Sequence, residues 1–125
     1  NIDCRGYIED TDELFEIYKQ ADICVMPSLN ETFGQVALEV QRFGVPVIYY
    51  YPNGMDDIVI EGKTGYGIEA GDYEKIAKRL VQYVRDFISG QGFDRRKISG
   101  IIQEKFSSSK VSHDYKRLYF DVSEK

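Results

Sequence analysis

Tryptophan is absent from this sequence of 125 residues, and histidine, cysteine and proline are scarce, with one, two and three copies. A zinc site needs several nitrogen and sulfur ligands, and His113 has no partner at a metal-ligand spacing. Cys4 and Cys24 can in principle pair, but both lie in apolar, strand-like segments, where cysteine usually packs as a small hydrophobic residue. The sequence therefore predicts no metal site, and unpaired thiols favour a reduced, cytoplasmic setting.

Excess positive charge and long apolar runs are missing as well. The formal net charge of −5 and the isoelectric point near 4.9 argue against a general nucleic-acid binder, which needs a basic face. No apolar run reaches the roughly 20 residues that span a bilayer, and no signal peptide opens the chain. The chain begins at Asn1 inside a strand-like run without an initiator methionine, so we expect a fragment of a longer protein. Any peripheral membrane association is expected of that parent alone.

Hydrophobic residues make up 42% of the chain and charged residues 30%, which is typical of a soluble globular domain. Strand-like and helix-like patterns alternate, which favours a parallel α/β sheet with right-handed crossovers. We therefore predict a Rossmann-like fold, in which helices flank a parallel sheet. Strands are predicted at residues 2–8, 22–26, 45–50 and 65–69, and helices at residues 11–20, 33–43, 72–88, 94–106 and 110–122.

Capping residues and apolar spacing support several of these helices. Asp10 precedes Glu13 by three residues, which is the spacing of a capping box, and Asp72 is placed to cap the third helix. On that helix and on the last one, we predict that the apolar side chains form one packed face. These side chains are Ile76, Leu80, Val84 and Phe87, followed by Tyr115, Leu118, Tyr119 and Val122.

The segment from Pro27 to Ile48, PSLNETFGQVALEVQRFGVPVI, combines two glutamates with a helix start between two apolar runs. The helix should end near Phe43, because Gly44 is a natural stop and Pro46 forbids its continuation. In parallel α/β sheets, ligands bind beyond the carboxyl ends of the strands, and the loop of residues 28–32 lies in that place.

The start of this helix suits an anion. Residues 34–36 offer N–H groups without an intrahelical acceptor at the positive end of the helix dipole, where a diphosphate can rest. Glu39 lies about five residues further on, or roughly 7 Å at 1.5 Å per residue, so one ligand can touch both places. A nucleotide sugar has that shape.

Several motifs in the same order resemble a known enzyme family. Glu31 is followed, after seven residues, by Glu39, with Phe-Gly after the first glutamate and Gly-x-Pro-Val closing the segment. Residues 53–59, NGMDDIV, are similar to the family's Gly-Gly-x-x-Glu-hydrophobic-Val stretch, and residues 61–67, EGKTGYG, to its Asp-Gly-x-Thr-Gly-hydrophobic turn. The chain resembles the retaining GT-B glycosyltransferases of family 4, the glycosyl transferases group 1, which include sucrose synthase and many bacterial mannosyl- and glucosyltransferases.

The resemblance implies that the chain is the C-terminal part of the second domain of a GT-B enzyme. Residues 1–109 are then a nucleotide-sugar-binding, Rossmann-like domain that is truncated at its N-terminal side, and residues 110–125 are a C-terminal helix. The implied reaction transfers a hexose from a UDP- or GDP-sugar to an acceptor hydroxyl with retention, in glycan or polysaccharide synthesis. No cofactor or metal ion is expected, because protein cations stand in for the metal in such enzymes.

The resemblance also implies roles for single residues. Glu31 is the catalytic candidate, which meets the hydroxyl groups of the donor sugar, and Glu39 binds the paired hydroxyls of the ribose. The other donor-binding residues act mainly through backbone N–H groups, and a glycine among them allows the ligand to approach the main chain closely. These residues are Thr32, Phe33, Gly34, Gln35 and Val36.

Two parts of such an enzyme are expected upstream of this chain. One is the Arg and Lys pair that grips the diphosphate in the family, and the other is the N-terminal acceptor-binding domain. Arg5, Lys63 and Arg79 do not match the positions of the missing cations. We therefore predict that the chain alone has no transferase activity and binds a nucleotide sugar weakly at best.

Three features depart from the family pattern. The third predicted strand ends in Tyr49, Tyr50 and Tyr51 where small residues are usual, so the tyrosines either pack on helices at both faces of the sheet or shape the donor pocket. Asn53 stands where glycine is common and tolerates left-handed geometry. Asp57 replaces a glutamate and shortens the reach of the carboxylate.

Two other functions remain open. One is a non-catalytic, doubly wound domain such as a receiver-like regulatory module, and the other is a GT-B-like sugar-nucleotide epimerase. A phosphoacceptor module needs clustered acids at the ends of early strands, whereas Asp56 and Asp57 follow a tyrosine-rich strand and a Pro-Asn-Gly turn. Binding without transfer by the full parent protein would favour the regulatory domain, and conversion of the donor without an acceptor would favour the epimerase.

Overall fold

A three-stranded parallel sheet organises residues 2–113, which are the residues that the computed structural model describes. The strands are β1 (Cys24–Met26), β2 (Val47–Tyr51) and β3 (Gly65–Glu69), and they lie in the order β1-β2-β3. Cys24 pairs with Val47 and Val47 pairs with Gly65, so the three strands begin at the same edge of the sheet. The predicted parallel α/β fold is confirmed.

One α-helix precedes β1, one connects β1 to β2, and two follow β3. They are α1 (Thr11–Gln20), α2 (Gln35–Arg42), α3 (Tyr73–Ile88) and α4 (Arg95–Lys105). The carboxylates of Asp10, Asp72 and Asp94 accept hydrogen bonds from backbone N–H groups in the first turns of α1, α3 and α4. Residues 108–113 are also helical. The apolar face predicted further on, at Tyr115, Leu118, Tyr119 and Val122, lies outside the described residues.

The predicted strand at residues 2–8 is wrong. This segment is irregular and pairs with no strand among the described residues, and the side chains of Ile2 and Tyr7 are 93% and 89% exposed. A strand is stabilised by a neighbouring strand and a packed face, so apolar composition alone does not create one. Cys4 lies in this segment and is exposed, so the prediction that it packs as a small hydrophobic residue is wrong. Cys24 on β1 is half-buried, and burial raises the pKa of its thiol to about 11.

Side chains of β2 alternate between the two faces of the sheet. Val47 and Tyr49 belong to one apolar cluster with residues of α1 and α2, and Ile48 and Tyr50 belong to a second cluster with Ile76 of α3. The interpretation that alternate tyrosines pack on helices at both faces is therefore confirmed for Tyr49 and Tyr50.

The packed face of α3 differs from the predicted one. Ile76 is buried and Leu80 packs against the second cluster, but Val84 and Phe87 are more than half exposed and Tyr83 is buried instead. At 100° per residue, Tyr83 lies roughly 20° around the helix from Ile76, whereas Val84 lies roughly 80° away. The hydroxyl of Tyr83 also donates to the carbonyl of Asp22 at 2.7 Å, which satisfies its polar end inside the fold.

Arg95 at the start of α4 binds the C-terminal ends of α1 and α2, the two helices that pack on the same face of the sheet as Val47 and Tyr49. Its guanidinium donates to the carbonyl oxygens of Lys19, Ala21 and Phe43 at 2.8 to 3.1 Å. The backbone of Arg95 lies directly against Gly44, which has a φ of +78°. The C-terminal ends of α1 and α2 are thereby fixed to α4.

Candidate functional site

The candidate site lies where β1 leads into α2. Gly34 is the N-cap of α2 and has a left-handed φ of +80°, so the helix starts at Gln35, close to the predicted start. A Cβ atom on Gly34 would lie 2.5 Å from Cγ of Met55. Backbone conformation and close packing therefore both require glycine at the mouth of this helix.

Three backbone N–H groups of the loop converge on the carboxylate of Glu31. Its Oε1 atom accepts from Thr32 N at 3.1 Å, Gly34 N at 3.1 Å and Phe33 N at 3.5 Å. The loop therefore binds a negatively charged oxygen with its main chain. Among the described residues, the structure gives no hydrogen bond to the other carboxylate oxygen, Oε2.

Gln35 and Val36 supply further donors at the mouth of α2. Both side chains are exposed, and both residues belong to the first turn, whose N–H groups have no acceptor within the helix. The helix dipole places partial positive charge at the same point. Of the five predicted backbone donors, Thr32, Phe33 and Gly34 donate to Glu31, and the structure gives no such bond for Gln35 and Val36.

Glu39 lies in the second turn of the same helix and is half-buried. Its Oε1 atom accepts from Nε2 of Gln35 at 3.1 Å, and its Oε2 atom accepts from the hydroxyl of Tyr18 at 3.4 Å. Burial, followed by the charge of Glu39, raises the pKa of Tyr18, so the hydroxyl stays protonated and can donate at neutral pH. Each oxygen of Glu39 keeps capacity to accept a further hydrogen bond from a ligand.

A short 3₁₀ turn after β2 (Gly54–Asp57, here the 54–57 turn) supports the loop from behind. The N–H of Gly54 donates to the carbonyl of Glu31 at 2.8 Å, and Nδ2 of Asn53 donates to the carbonyl of Ser28 at 3.2 Å. The Pro-Asn-Gly step after β2 predicts a turn, but its hydrogen bonds to the loop join distant positions and are not visible in the sequence. The φ of Asn53 is −164°, so its left-handed tolerance is not used, and its side chain caps the turn instead.

A cavity of about 380 Å³ lies elsewhere, beside the loop that enters β3. Lys63, Tyr66, Phe93 and Lys97 are among its lining residues, and none of the predicted site residues contributes to it. Within residues 2–113, no group of three or more His, Cys, Asp and Glu side chains is placed to hold a metal ion. No helix in that part of the chain is long and apolar enough to cross a membrane.

Comparison with known proteins gives one matching family model, which is described as glycosyl transferases group 1 and matches residues 1–98. N-acetyl-alpha-D-glucosaminyl L-malate synthase of Bacillus anthracis is 29% identical over 93% of this chain and 30% of that protein. The capsular polysaccharide biosynthesis glycosyltransferase CapM of Staphylococcus aureus is 30% identical over 90% of this chain and 29% of that protein. The chain spans less than a third of the length of these relatives.

Several solved structures have a similar fold. Sucrose-phosphate synthase from Thermosynechococcus elongatus superposes with a TM-score of 0.75 and 26% identity over 90% of this chain and 28% of that one. The C-terminal domain of the group 1 glycosyl transferase LpcC from Francisella tularensis superposes with a TM-score of 0.61 and 31% identity. The match covers 75% of this chain and 46% of that one. HepE of Anabaena, determined in complex with UDP, superposes with a TM-score of 0.72 over 85% of this chain and 29% of that one. At 18% identity, this match shows a shared fold alone.

Proposed function

Since this chain belongs to the glycosyl transferases group 1 family and has the fold of GT-B glycosyltransferases, we propose that it is the donor-binding part of a retaining hexosyltransferase. The reaction is transfer of a hexose from a nucleoside diphosphate sugar to an acceptor hydroxyl, in glycan or polysaccharide synthesis. The donor is a UDP- or GDP-sugar, and the setting is a reduced cytoplasm.

The observation that carries this proposal is the placement of two carboxylates and a set of N–H donors around the start of α2. The N–H groups of Gln35 and Val36, together with the helix dipole, bind the diphosphate. Glu39, one turn further along, accepts hydrogen bonds from the ribose hydroxyls. Glu31 is oriented by its own loop through Oε1 and presents Oε2 to the hydroxyl groups of the donor sugar.

This arrangement favours departure of the diphosphate. Negative charge accumulates on the leaving group in the transition state, and N–H groups that are already fixed in place stabilise that charge more strongly than they stabilise the bound donor. UDP and UDP-glucose are the first ligands to test, because HepE from Anabaena, which has a similar fold, was determined in complex with each of them.

Other parts of the enzyme are proposed to lie in a longer polypeptide, because the chain spans less than a third of its relatives. The cations named in the sequence are engaged away from the start of α2. Arg5 pairs with Asp3 at 2.8 Å, Arg79 lies 4.1 Å from the ring centre of Tyr66, and Lys63 lines the remote cavity. The acceptor domain and the cations that grip the diphosphate are therefore assigned to that longer protein.

The test of the donor site is Glu39→Gln in the full-length protein, with UDP and GDP as probes in calorimetry. Loss of a charged acceptor should weaken binding of the preferred nucleotide by roughly tenfold, since a hydrogen bond to a charged group contributes about 1.5–3 kcal/mol. Glu104→Gln is the matched control, because Glu104 is an exposed glutamate on α4. Unchanged affinity in the Glu39 variant would remove the ribose role.

The donor itself can be identified by a thermal-shift panel of UDP- and GDP-sugars on the same full-length protein. A ligand present at a hundred times its Kd adds about 2.7 kcal/mol to stability, which is a readily measured shift. If no nucleotide sugar stabilises the full-length protein, a donor-binding role is excluded.

A further inference from the structure

Tyr49 directs its hydroxyl from the core of the sheet to a carboxylate near the candidate site. Its ring is 5% exposed and belongs to the apolar cluster under α2, and its hydroxyl donates to Oδ1 of Asp56 at 2.8 Å. Burial, and then this hydrogen bond, raises the pKa of Tyr49, so the hydroxyl remains a donor at neutral pH. A buried phenol with a short bond to a carboxylate fixes that carboxylate in one orientation.

Asp56 uses its other oxygen inside the 54–57 turn. Oδ2 of Asp56 accepts from the N–H of Asn53 at 3.2 Å, and Oδ1 of Asn53 accepts from the N–H of Met55 at 2.8 Å. The two side chains form a reciprocal capping box that closes the turn. Asp56 therefore has a partner inside the protein for each oxygen, and its role is structural support of the turn.

The 54–57 turn contacts the main chain of the Glu31 loop at Glu31, at Thr32 and at Gly34. The N–H of Gly54 donates to the carbonyl of Glu31 at 2.8 Å, and a Cβ atom on Gly54 would collide with the carbonyl of Thr32. Met55 packs under Gly34, where a Cβ atom would lie 2.5 Å from its Cγ. The position of Glu31 thus depends on a turn that contains none of the predicted site residues.

We propose that Tyr49 and Asp56 are positioning residues for Glu31, acting through the 54–57 turn. This inference rests on the proposed function, in which Glu31 contacts the donor sugar while Glu39 and the start of α2 hold the nucleotide. Loss of the Tyr49 hydroxyl frees Asp56, loosens the capping box and displaces the Glu31 loop. Recognition of the sugar is then lost, while recognition of the nucleotide is kept.

The test is Tyr49→Phe in the full-length protein, which keeps the buried ring and removes the hydroxyl. Calorimetry measures Kd for UDP and for UDP-glucose, and for GDP and GDP-mannose, and the pair that binds more tightly is used. We expect the affinity for the nucleotide sugar to fall about fivefold and that for the free nucleotide to change by less than about twofold. Glu31→Gln should show the same sugar-selective loss.

Tyr83→Phe is the matched control, because the side chain of Tyr83 is only 6% exposed. Its hydroxyl also donates to a single oxygen, the carbonyl of Asp22, away from the Glu31 loop. It should lower stability and leave both Kd values unchanged. Should Tyr49→Phe fail to fold, Asp56→Asn is assessed by the same two Kd values, because it leaves one acceptor oxygen for two donors, the Tyr49 hydroxyl and the N–H of Asn53.

The outcomes separate the inference from the function on which it rests. A sugar-selective loss in Glu31→Gln without one in Tyr49→Phe overturns the positioning role and leaves the proposed function standing. An equal loss for nucleotide and nucleotide sugar in Tyr49→Phe also overturns it, because that pattern is a general loss of structure. Absence of a sugar-selective loss in Glu31→Gln overturns the proposed role of Glu31 and the inference together.

Discussion

Tyr18 reaches the candidate site from α1, a helix outside the family motifs. Its ring packs with Phe15 and Phe43, and its hydroxyl donates to Oε2 of Glu39 at 3.4 Å. Gln35 donates to the other oxygen of the same carboxylate. At the residue scale, Glu39 is therefore held by two uncharged donors, which leave its charge available to a ligand.

Removal of the Tyr18 hydroxyl should weaken nucleotide binding modestly. In the full-length protein we expect Tyr18→Phe to raise the Kd for UDP or GDP about two- to fivefold, since one hydrogen bond contributes about 0.5–1.5 kcal/mol and this one is long. The measurement is calorimetry beside Glu39→Gln. In the double variant Tyr18→Phe/Glu39→Gln, we expect the Kd to equal that of Glu39→Gln alone. If the two losses of binding free energy add fully, Tyr18 does not act through Glu39.

Local sequence signals indicate the candidate residues of this site, but they do not show which distant side chains form hydrogen bonds with them. The helix start and its distance to Glu39 are properties of neighbouring residues, and the candidate role of Glu31 follows from the resemblance of the Glu31–Glu39 motif to the family. The bond from Tyr18 to Glu39 spans 21 positions and depends on how α1 packs against α2. The roles of the two glutamates toward a ligand stay predictions.

At the element scale, α2 is held in place by α4. The hydroxyl of Ser99 donates to the carbonyl of Arg42 at 2.7 Å, and Arg95 donates to the carbonyl of Phe43 at 3.1 Å. Gly44, directly after α2, lies against the backbone of Arg95. The orientation of the helix that carries Glu39 thus depends on a contact between main chains.

A pair of glycine variants tests this contact. Gly44 and Gly62 both have a left-handed φ, +78° and +69°, but a Cβ atom on Gly62 would meet nothing within 4 Å. Gly62→Ala should cost only the backbone strain of about 1–3 kcal/mol. Gly44→Ala should cost about 1–3 kcal/mol more because of overpacking against Arg95. Urea unfolding measures both, and equal losses of stability would show that the contact is unimportant.

Helix limits were predictable from sequence, and the first strand was not. Asp10 and Asp72, the two caps predicted from the sequence, bind backbone N–H groups within three residues. Residues 2–8 have strand-like composition, but a strand depends on a distant partner that composition does not show. The prediction for the buried face of α3 is wrong for a local reason, because Tyr83 lies roughly 20° around the helix from Ile76 and Val84 roughly 80°. The hydrogen bond from Tyr83 to the carbonyl of Asp22 joins distant positions and is not visible in the sequence.

At the scale of the whole molecule, the proposed function assigns one side of a reaction site to this chain. We expect the isolated 125-residue chain to show no turnover of UDP-glucose or GDP-mannose with or without acceptor, and weak binding of UDP or GDP. The reason is that the cations and the acceptor domain are assigned to a longer protein. Release of UDP or GDP from a nucleotide sugar is the measurement, with the full-length protein as the positive control. Turnover by the isolated chain would overturn the expectation.

The contact between Glu31 and its own loop has an entropic consequence. A glutamate that is free in solution loses rotamer freedom when it grips a sugar, which costs about 0.5–1.5 kcal/mol per immobilised side chain. Here the N–H groups of Thr32 and Gly34 already restrain Oε1 at 3.1 Å. The ordering of this side chain therefore takes place when the chain folds. In the proposed donor site, binding of a sugar hydroxyl to Oε2 then carries less of this entropic cost.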